Sequence, residues 1–358
     1  MRRWNVFEVG NHSLHFTNVG KLLKSLFIHW CSRESLKFLY LYDMKFKVFR
    51  GTFFWLMALV IGLFFLACDK QSPYPKVIDP EDNPITAEKV ALGEKLFFDP
   101  RLSIDNTVSC ASCHVPERAF TDGKVLSDGV NGKKSMRNAP SLVNVAYQPY
   151  FMFEGAIPNL ERQSHVPIID LNEMGYERIS DLVDKLAAIE EYQVLAQKAF
   201  NMPFDVFVLT RALAAYERTL IQWDSPFDDF YFLQKPMDDQ MRRGYQIFSE
   251  KLYCAACHKT PYFTDFGLHN NGFYDSLDWG RWRITGLEID KGTFKTPSLK
   301  NMRLTAPYMH NGQLKTIDEV LDYYSKGGSG NPNQDKRIRP FQLSDEERRD
   351  LIYFLERI

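Results

Sequence analysis

The chain has 358 residues and is close to neutral, with 44 lysines and arginines against 45 aspartates and glutamates and a formal net charge of -1 at pH 7. This balance argues against a nucleic-acid partner, because such proteins carry an excess of basic residues. The length is sufficient for two domains.

The residues up to position 85 are expected to precede the folded part. An uncharged apolar run follows the basic segment 45–50 and ends at Cys68. Basic residues, a short apolar run and a small residue before a cut describe a secretory signal. The Leu-Ala-Cys sequence at the end resembles a bacterial lipobox, in which the cysteine is lipidated. We predict a lipoprotein-type signal peptide at 44–67, lipidation at Cys68 and a tether at 68–85.

An uncleaved membrane anchor is the alternative for 44–67, although a run of about 16 residues is short for a membrane span. Met44 stands directly before the basic segment, where a signal peptide normally begins. We therefore expect residues 1–43 to be an extension upstream of the true start, with a targeting segment as the alternative. A cleaved signal and an uncleaved anchor both place the folded part outside the cytoplasm. The predicted location is the cell envelope, facing the periplasm, with membrane attachment through the lipid anchor only.

The pattern Cys-x-x-Cys-His occurs twice in the chain. The two copies are Cys110, Cys113 and His114, and Cys254, Cys257 and His258. This pattern is typical of c-type haem attachment, because two thiols form thioethers to the porphyrin and the adjacent histidine gives iron its proximal nitrogen ligand. A zinc site would need a second Cys/His pair near each copy, and a redox dithiol does not need the histidine. The sequence predicts two covalently bound haem c groups.

The folded part is expected to begin near Thr86 and to be helical. Apolar residues at helical spacing predict helices over 181–200 and 206–223. Another helix is expected from 238 to 253, delivering the second Cys-x-x-Cys-His copy at its end. Segment 224–236 has no clear periodicity and is predicted to connect two domains.

The last helix carries the clearest start signal. Ser344 and Glu347 form a capping box, and apolar residues follow as far as Leu355. Alternation typical of strands is nearly absent. The prediction is an all-α fold with one haem domain at 86–235 and a second at 236–358.

Five blocks around the haem motifs carry a family resemblance. They are LFFDPRLS (96–103), AFTDG (119–123), RNAPSLVNVAY (137–147), ALAAYERTL (212–220) and TPSLKNMRLTAPYMHNG (296–312). In this order they resemble the bacterial di-haem cytochrome c peroxidase family, and particularly its MauG-like subgroup. The resemblance implies two cytochrome c-like domains, with peroxide reduction at the N-terminal haem and electron transfer through the C-terminal haem.

The resemblance also implies roles for individual residues. His114 would be the proximal ligand of the peroxidatic haem, and His258 that of the electron-transfer haem. Gln163 and Glu173 would line the distal pocket of the first haem. A carboxylate there can take the proton from the inner peroxide oxygen and return it to the leaving oxygen. Without the resemblance, Glu173 would be interpreted as a solvated loop carboxylate.

A calcium site between the haems is a further implication. Its ligands would be the Asn138 side chain and the backbone carbonyls of Thr305 and Pro307, and oxygen ligands suit this hard cation. Alternatively, Asn138 caps a turn before Pro140.

Three positions depart from the family pattern. Val130 stands where many members have a distal histidine, which predicts an open first haem, and Met136 is the alternative ligand in that loop. Tyr324, beside Tyr323, stands where a methionine or tyrosine ligates the second haem, with Met302 or Met309 as alternatives. Phe153 replaces the tryptophan that relays electrons between the haems.

The predicted function is reduction of hydrogen peroxide to water with electrons from a small redox protein, a cytochrome c or a cupredoxin. The alternatives are MauG-like oxidation of a side chain in a protein partner and a di-haem electron carrier without turnover. The open first haem and Tyr324 favour side-chain oxidation, whereas Phe153 weakens it. The same prediction allows a homodimer.

Overall fold

The computed structural model describes residues 72–273 and 278–358. The predictions for 1–43, 44–67 and Cys68 lie outside these residues. The described part is mostly helical, with little strand. Within it, no helix is both long enough and apolar enough to cross a membrane.

Twelve α-helices occur in the described residues. They are α1 (Ala87–Phe97), α2 (Cys110–Cys113), α3 (Leu160–Gln163), α4 (Val166–Ile169), α5 (Ile179–Ala187), α6 (Glu190–Phe200), α7 (Val206–Glu217), α8 (Pro226–Leu233), α9 (Asp239–Gln246), α10 (Trp282–Thr285), α11 (Ile317–Ser325) and α12 (Asp345–Leu355).

Shorter turns of helix and one small ribbon complete the secondary structure described. The 3-10 turns are Pro100–Leu102, Pro116–Arg118, Val130–Gly132, Val145–Tyr147, Cys254–Ala256, Glu288–Asp290 and Met302–Leu304, and Ile247–Lys251 is a π-helical turn. Strands β1 (Leu268–His269) and β2 (Phe294–Lys295) pair antiparallel, with Leu268 opposite Lys295 and His269 opposite Phe294.

The helix predicted over 181–200 is divided into α5 and α6. Ile189 is extended, with φ -94° and ψ 112°, and forms the N-cap of α6. The Gln193 side chain donates to the carbonyl of Ala187 at 2.9 Å, so a side chain satisfies a carbonyl at the end of α5. The apolar spacing continues across the break, which explains why periodicity alone predicts a single helix.

The predicted connection at 224–236 contains helix α8. Ser225 and Asp228 form a capping box, and Pro226 occupies the first turn, where a missing N–H costs nothing. The prediction for the last helix is confirmed, because the Ser344 hydroxyl accepts from the Glu347 N–H at 3.2 Å and starts α12.

The buried apolar side chains form two clusters. The first runs from Leu92 to Tyr216, and the second from Phe227 to Ile358. Helix α7 packs against α1 and α3 in the first cluster, and α12 packs against α9 in the second. Each Cys-x-x-Cys-His copy lies beside one cluster, since Cys110 packs against the first and Cys254 against the second.

Candidate haem sites

The first Cys-x-x-Cys-His copy forms a tight helical turn. The backbone N–H of Ser109 donates to the Ser112 hydroxyl at 3.0 Å, which starts α2. The chain then turns at Phe120, whose φ is 58°. This turn brings the Phe120 carbonyl within 2.9 Å of His114 Nδ1. A carbonyl only accepts, so Nδ1 carries the proton and Nε2 keeps its lone pair.

The second copy repeats this arrangement. Tyr253, with φ 57°, precedes the 3-10 turn, and the His258 N–H donates to the Cys254 carbonyl at 2.9 Å, as the His114 N–H does to Cys110. His258 Nδ1 lies 3.1 Å from the carbonyl of Phe263 and 3.2 Å from that of Pro297. Burial lowers the pKa of both imidazoles, which keeps them neutral as iron ligands require.

The residues present fit two haem c groups. The four cysteines form no disulfide. Both histidines hold Nε2 free while a carbonyl fixes the opposite ring nitrogen. Beside the first copy, Asp122 Oδ2 and Glu217 Oε2 are buried without a hydrogen-bond partner in the described part of the chain, as expected where a bound group completes the site.

Glu173 lies next to the first copy, in the turn after α4. Its backbone is fixed by the hydrogen bond from the Glu173 N–H to the Asp170 carbonyl at 3.1 Å and by that from the Val130 N–H to its own carbonyl at 3.0 Å. Burial raises the pKa of the Glu173 carboxyl to about 7, and the charge of Asp170 adds to the rise. The carboxylate also lies near enough to Cys113 to raise the pKa of that thiol, which burial raises most.

Tyr324 lies next to the second copy. Burial raises the pKa of its phenol to about 12, and charges on Cys254 and Cys257 act on it in the same direction. The Asn271 side-chain N–H donates to the Tyr324 hydroxyl at 3.0 Å. A cation at this position would reverse the shift and favour the phenolate.

Comparisons with known proteins identify the family of this chain. Residues 87–235 match the family model for di-haem cytochrome c peroxidases. MauG of Methylorubrum extorquens is 39% identical over 289 residues, covering 79% of this chain and 80% of the relative. The chain belongs to the di-haem cytochrome c peroxidase family. It is therefore an oxidoreductase.

One further relative and one solved structure are also similar to this chain. Cytochrome c551 peroxidase of Pseudomonas aeruginosa is 32% identical, covering 75% of this chain and 79% of the relative. A crystal structure of a MauG-like protein associated with microbial copper homeostasis has a TM-score of 0.75 and 32% identity, covering 81% of this chain and 94% of that one.

Val130, which the sequence predicts at the family's distal-histidine position, is 1% exposed and belongs to the first apolar cluster. Met136 is 58% exposed, so its thioether lies largely in solvent. The aliphatic Val130 side chain offers iron no ligand atom. Neither of the two residues considered as distal ligands in this loop is therefore a buried ligand of the first haem site.

Gln163 is the last residue of α3, which a buried ion pair holds in place. Arg218 donates two hydrogen bonds to Glu161, at 2.7 and 2.9 Å, and their side chains are 8% and 10% exposed. Among the described residues, no hydrogen bond joins the Gln163 side chain to Glu173. The structure therefore places Glu173 near the haem motif and fixes the helix that carries Gln163.

At the predicted calcium site, the Asn138 side-chain N–H donates to the Lys124 carbonyl at 2.7 Å, and its backbone N–H donates to the His310 carbonyl at 2.9 Å. The side chain thus bridges to another segment rather than capping its own turn. Thr305 and Pro307 form no hydrogen bond with it in the described residues, and their carbonyls remain candidate ligands.

Phe153, which the sequence predicts at the family's relay position, packs on Arg137. The guanidinium carbon lies 5.6 Å from the ring centres of both Phe153 and Phe294. Arg137 also pairs with Glu154 at 2.6 Å and with Asp278 at 2.7 Å. Phe153 therefore lies in a charged stack with Arg137.

Two polar residues near the haem motifs were not predicted from the sequence as part of either site. Asn271 contacts Tyr324 and lies 3.7 Å from the sulfur of Met309, but the Asn-Asn-Gly sequence around it indicates only a turn. Glu217 lies inside the recognised ALAAYERTL block, where helical spacing predicts core packing. The burial of Glu217, which marks it as unusual, is visible only in the structure.

Proposed function

We propose that this protein reduces hydrogen peroxide to water at a haem held by Cys110, Cys113 and His114. Two electrons enter through a second haem, held by Cys254, Cys257 and His258, from a cytochrome c or cupredoxin. Each apolar cluster would serve one haem domain, 86–235 and 236–358. The overall reaction consumes one peroxide, two electrons and two protons and yields two waters.

Glu173 carries the proposal. A haem held by Cys110, Cys113 and His114 would supply the iron for peroxide binding and would pass on the electrons of the donor protein. Cleavage of the O–O bond needs a group that removes a proton from the inner oxygen and delivers it to the outer oxygen. A carboxyl with a pKa of about 7 beside Cys113 can perform both transfers near neutral pH. Gln163 would orient the peroxide through its amide.

The surroundings of the first site support an open iron. Val130 offers no ligand atom, and the Met136 side chain is 58% exposed. We propose that peroxide binds without prior departure of a distal histidine. A resting ferric spectrum with both haems low-spin would contradict this.

The remaining roles follow from the same proposal. Asn138, Thr305 and Pro307 would hold Ca²⁺, with Asn138 already placed beside the 310 segment by its backbone hydrogen bond. Cys68 would carry a lipid, with the folded part facing the periplasm. A homodimer is compatible with the proposal and is not needed for the step at Glu173.

Glu173→Gln tests the proposal while preserving the size of the side chain. We expect peroxide turnover with a reduced donor to fall by about 10²- to 10⁴-fold, the range for loss of a general acid–base group. The carboxylate form accepts the first proton, so wild-type turnover should rise as the pH passes through about 7. The variant should lose this rise.

Glu177→Gln is the matched control, because Glu177 is exposed and lies only four positions further along the chain. It should keep wild-type turnover. Haem absorbance per protein must be equal in all samples. Unchanged turnover in Glu173→Gln would remove Glu173 from the mechanism, and no turnover in the wild type would favour an electron carrier.

MauG-like oxidation of a protein side chain is the second candidate, favoured by Tyr324. An anionic phenolate ligand stabilises ferric iron and lowers the haem potential, which disfavours electron uptake from a high-potential donor. Oxidation of a partner protein without added donor, detected by mass spectrometry after peroxide addition, would favour this function. Donor-dependent turnover without a modified partner would favour the peroxidase.

A further inference from the structure

Glu217 is a buried carboxyl that the proposed peroxidase mechanism does not use. It is the last residue of α7 and is 5% exposed. Its Oε2 atom has no hydrogen-bond partner in the described part of the chain. Burying a charged carboxylate without a partner is costly, so such an atom needs an explanation.

Arg218, the cation closest to Glu217 in sequence, already forms an ion pair with another carboxylate. Arg218 directs its guanidinium at Glu161. The positive charge of Arg218 acts to lower the pKa of Glu217, and the charge of Glu161 acts to raise it. On the helices packed around α7, Glu94 of α1 is exposed, and the ammonium of Lys185 on α5 donates to the backbone carbonyls of Arg101 and Ser103 at 2.9 Å. None of these groups supplies a hydrogen bond to Glu217.

The first haem-attachment residue lies beside this carboxyl. Burial raises the pKa of the Cys110 thiol, and the charge of Glu217 is the next largest contribution to the rise. Tyr216, whose phenol pKa is raised by burial and then by Glu94 and Glu217, is the other titratable neighbour. Glu217 would therefore lie near a haem attached through Cys110.

Burial raises the pKa of Glu217 to about 8, so the carboxyl can gain or lose a proton close to neutral pH. A haem that gains an electron loses one positive charge. In a buried site, that loss makes a nearby carboxylate less favourable and its protonated form more favourable.

We propose that Glu217 exchanges a proton with solvent in step with the redox state of the first haem. Reduction by one electron is accompanied by uptake of one proton, which converts the carboxylate to the acid. Oxidation returns the electron and releases the proton. The inference requires a haem at Cys110 but does not require peroxide turnover, and it gives the first site a second protonatable carboxyl besides Glu173.

Potentiometric titration of the haem-loaded protein, followed by absorbance of the first haem, tests the proposal. The titration runs from about pH 6 to about pH 9, so that the range includes the Glu217 pKa of about 8. In the wild type, the midpoint potential should fall as the pH rises. Glu217→Gln should lose this dependence in the same range, whereas Glu217→Asp should retain it at a shifted pH. The exposed Glu94→Gln variant, on the helix packed against α7, should match the wild type.

Glu173 also titrates near this range, so the comparison is repeated in a Glu173→Gln background. Infrared difference spectra of the wild type give an independent readout, because a protonated carboxyl band should disappear on oxidation. An unchanged pH dependence in Glu217→Gln, or no carboxyl band in the wild type, would overturn the proposal. Peroxide turnover in the same samples shows separately whether the proposed function holds.

Discussion

The ion pair between Arg218 and Glu161 connects the stability of the fold to the position of Gln163. Both side chains are about nine-tenths buried, and two hydrogen bonds of 2.7 and 2.9 Å join them. Glu161 also accepts from Asn83 Nδ2 at 2.8 Å, and Asn83 is fully buried. Arg218→Met would leave the Glu161 carboxylate buried with Asn83 as its remaining partner among the described residues.

Removing one member of a buried pair typically costs about 3–5 kcal/mol, because the other charge stays buried without compensation. For a protein of this size, each kcal/mol shifts the thermal midpoint by about 2–4 °C. We therefore expect Arg218→Met to lower the midpoint by on the order of 10 °C. Thermal unfolding of the haem-loaded protein, followed by far-ultraviolet circular dichroism, measures this shift.

The Glu161→Met/Arg218→Met double variant separates loss of the pair from loss of packing. Replacing both charges by apolar groups of similar volume is often neutral or stabilising. The double variant should therefore recover most of the lost midpoint. A double variant no more stable than Arg218→Met would refute the reasoning.

The exposed pair of Arg178 and Asp181 provides the control, since its side chains are 75% and 41% exposed. Arg178→Met should leave the midpoint unchanged. Equal effects of Arg178→Met and Arg218→Met would also contradict the argument.

Acid should remove the contribution of the buried pair. Burial acts to raise the pKa of Glu161, but the hydrogen bonds from Arg218 and Asn83 outweigh it and lower the pKa below its ordinary value. The stabilisation is therefore present above the ordinary glutamate pKa of about 4.3 and is lost as the pH falls through the lowered value. The difference between wild type and Arg218→Met should shrink over the same range.

Two further outcomes are expected. Tyr324→Phe should change the absorbance of the second haem and raise its midpoint potential, because a phenolate ligand stabilises ferric iron; an unchanged spectrum would remove Tyr324 as a ligand. Lys300→Met should destabilise the protein by about 3–5 kcal/mol, since it removes the cation 2.6 Å from the Asp228 carboxylate, which is 1% exposed and keeps only hydrogen bonds from Ser225 among the described residues. Chemical denaturation measures the second effect, and Lys235→Met, at an exposed pair with Asp229, should have little effect.

Local sequence signals predicted the parts of the fold that depend on neighbouring residues. The capping box at Ser344 starts α12 as expected, because both partners lie within one turn. The helix that starts at the similar box of Ser225 was not predicted, because the aromatic and acidic residues that follow have no helical period. Pro226 and Asp228 nevertheless carry the start signal. The break at Ile189 depends on a side-chain hydrogen bond from Gln193 that apolar periodicity does not detect.

Contacts between segments far apart in the chain could not be predicted from the sequence. Arg218 and Glu161 are 57 positions apart, and Arg137 reaches Asp278 across 141 positions. The haem motifs were evident because their cysteines and histidines are adjacent in sequence. The groups that tune those sites are supplied by other segments: Asn271 at Tyr324, and Glu217 at Cys110.

The Arg137 stack bears on how oxidising equivalents can move between the haems. A phenyl ring is much harder to oxidise than indole, and a guanidinium 5.6 Å from the centre of Phe153 disfavours positive charge on that ring. Glu154 and Asp278 balance Arg137 itself, which leaves the stack without a group suited to hold an oxidising equivalent. Transfer between the haems would then depend on tunnelling through packed protein.

The two haem sites differ in the chemistry of their polar neighbours. Glu173 and Glu217 place two carboxyls with pKa values of about 7 and 8 beside the first Cys-x-x-Cys-His copy. The second copy faces Tyr324, whose phenol has its pKa raised to about 12 by burial. Groups that titrate near neutral pH can exchange protons during turnover, whereas a phenol with so high a pKa exchanges none unless a metal binds it. Because peroxide reduction consumes protons only where the O–O bond breaks, this asymmetry favours chemistry at the first site and electron transfer alone at the second.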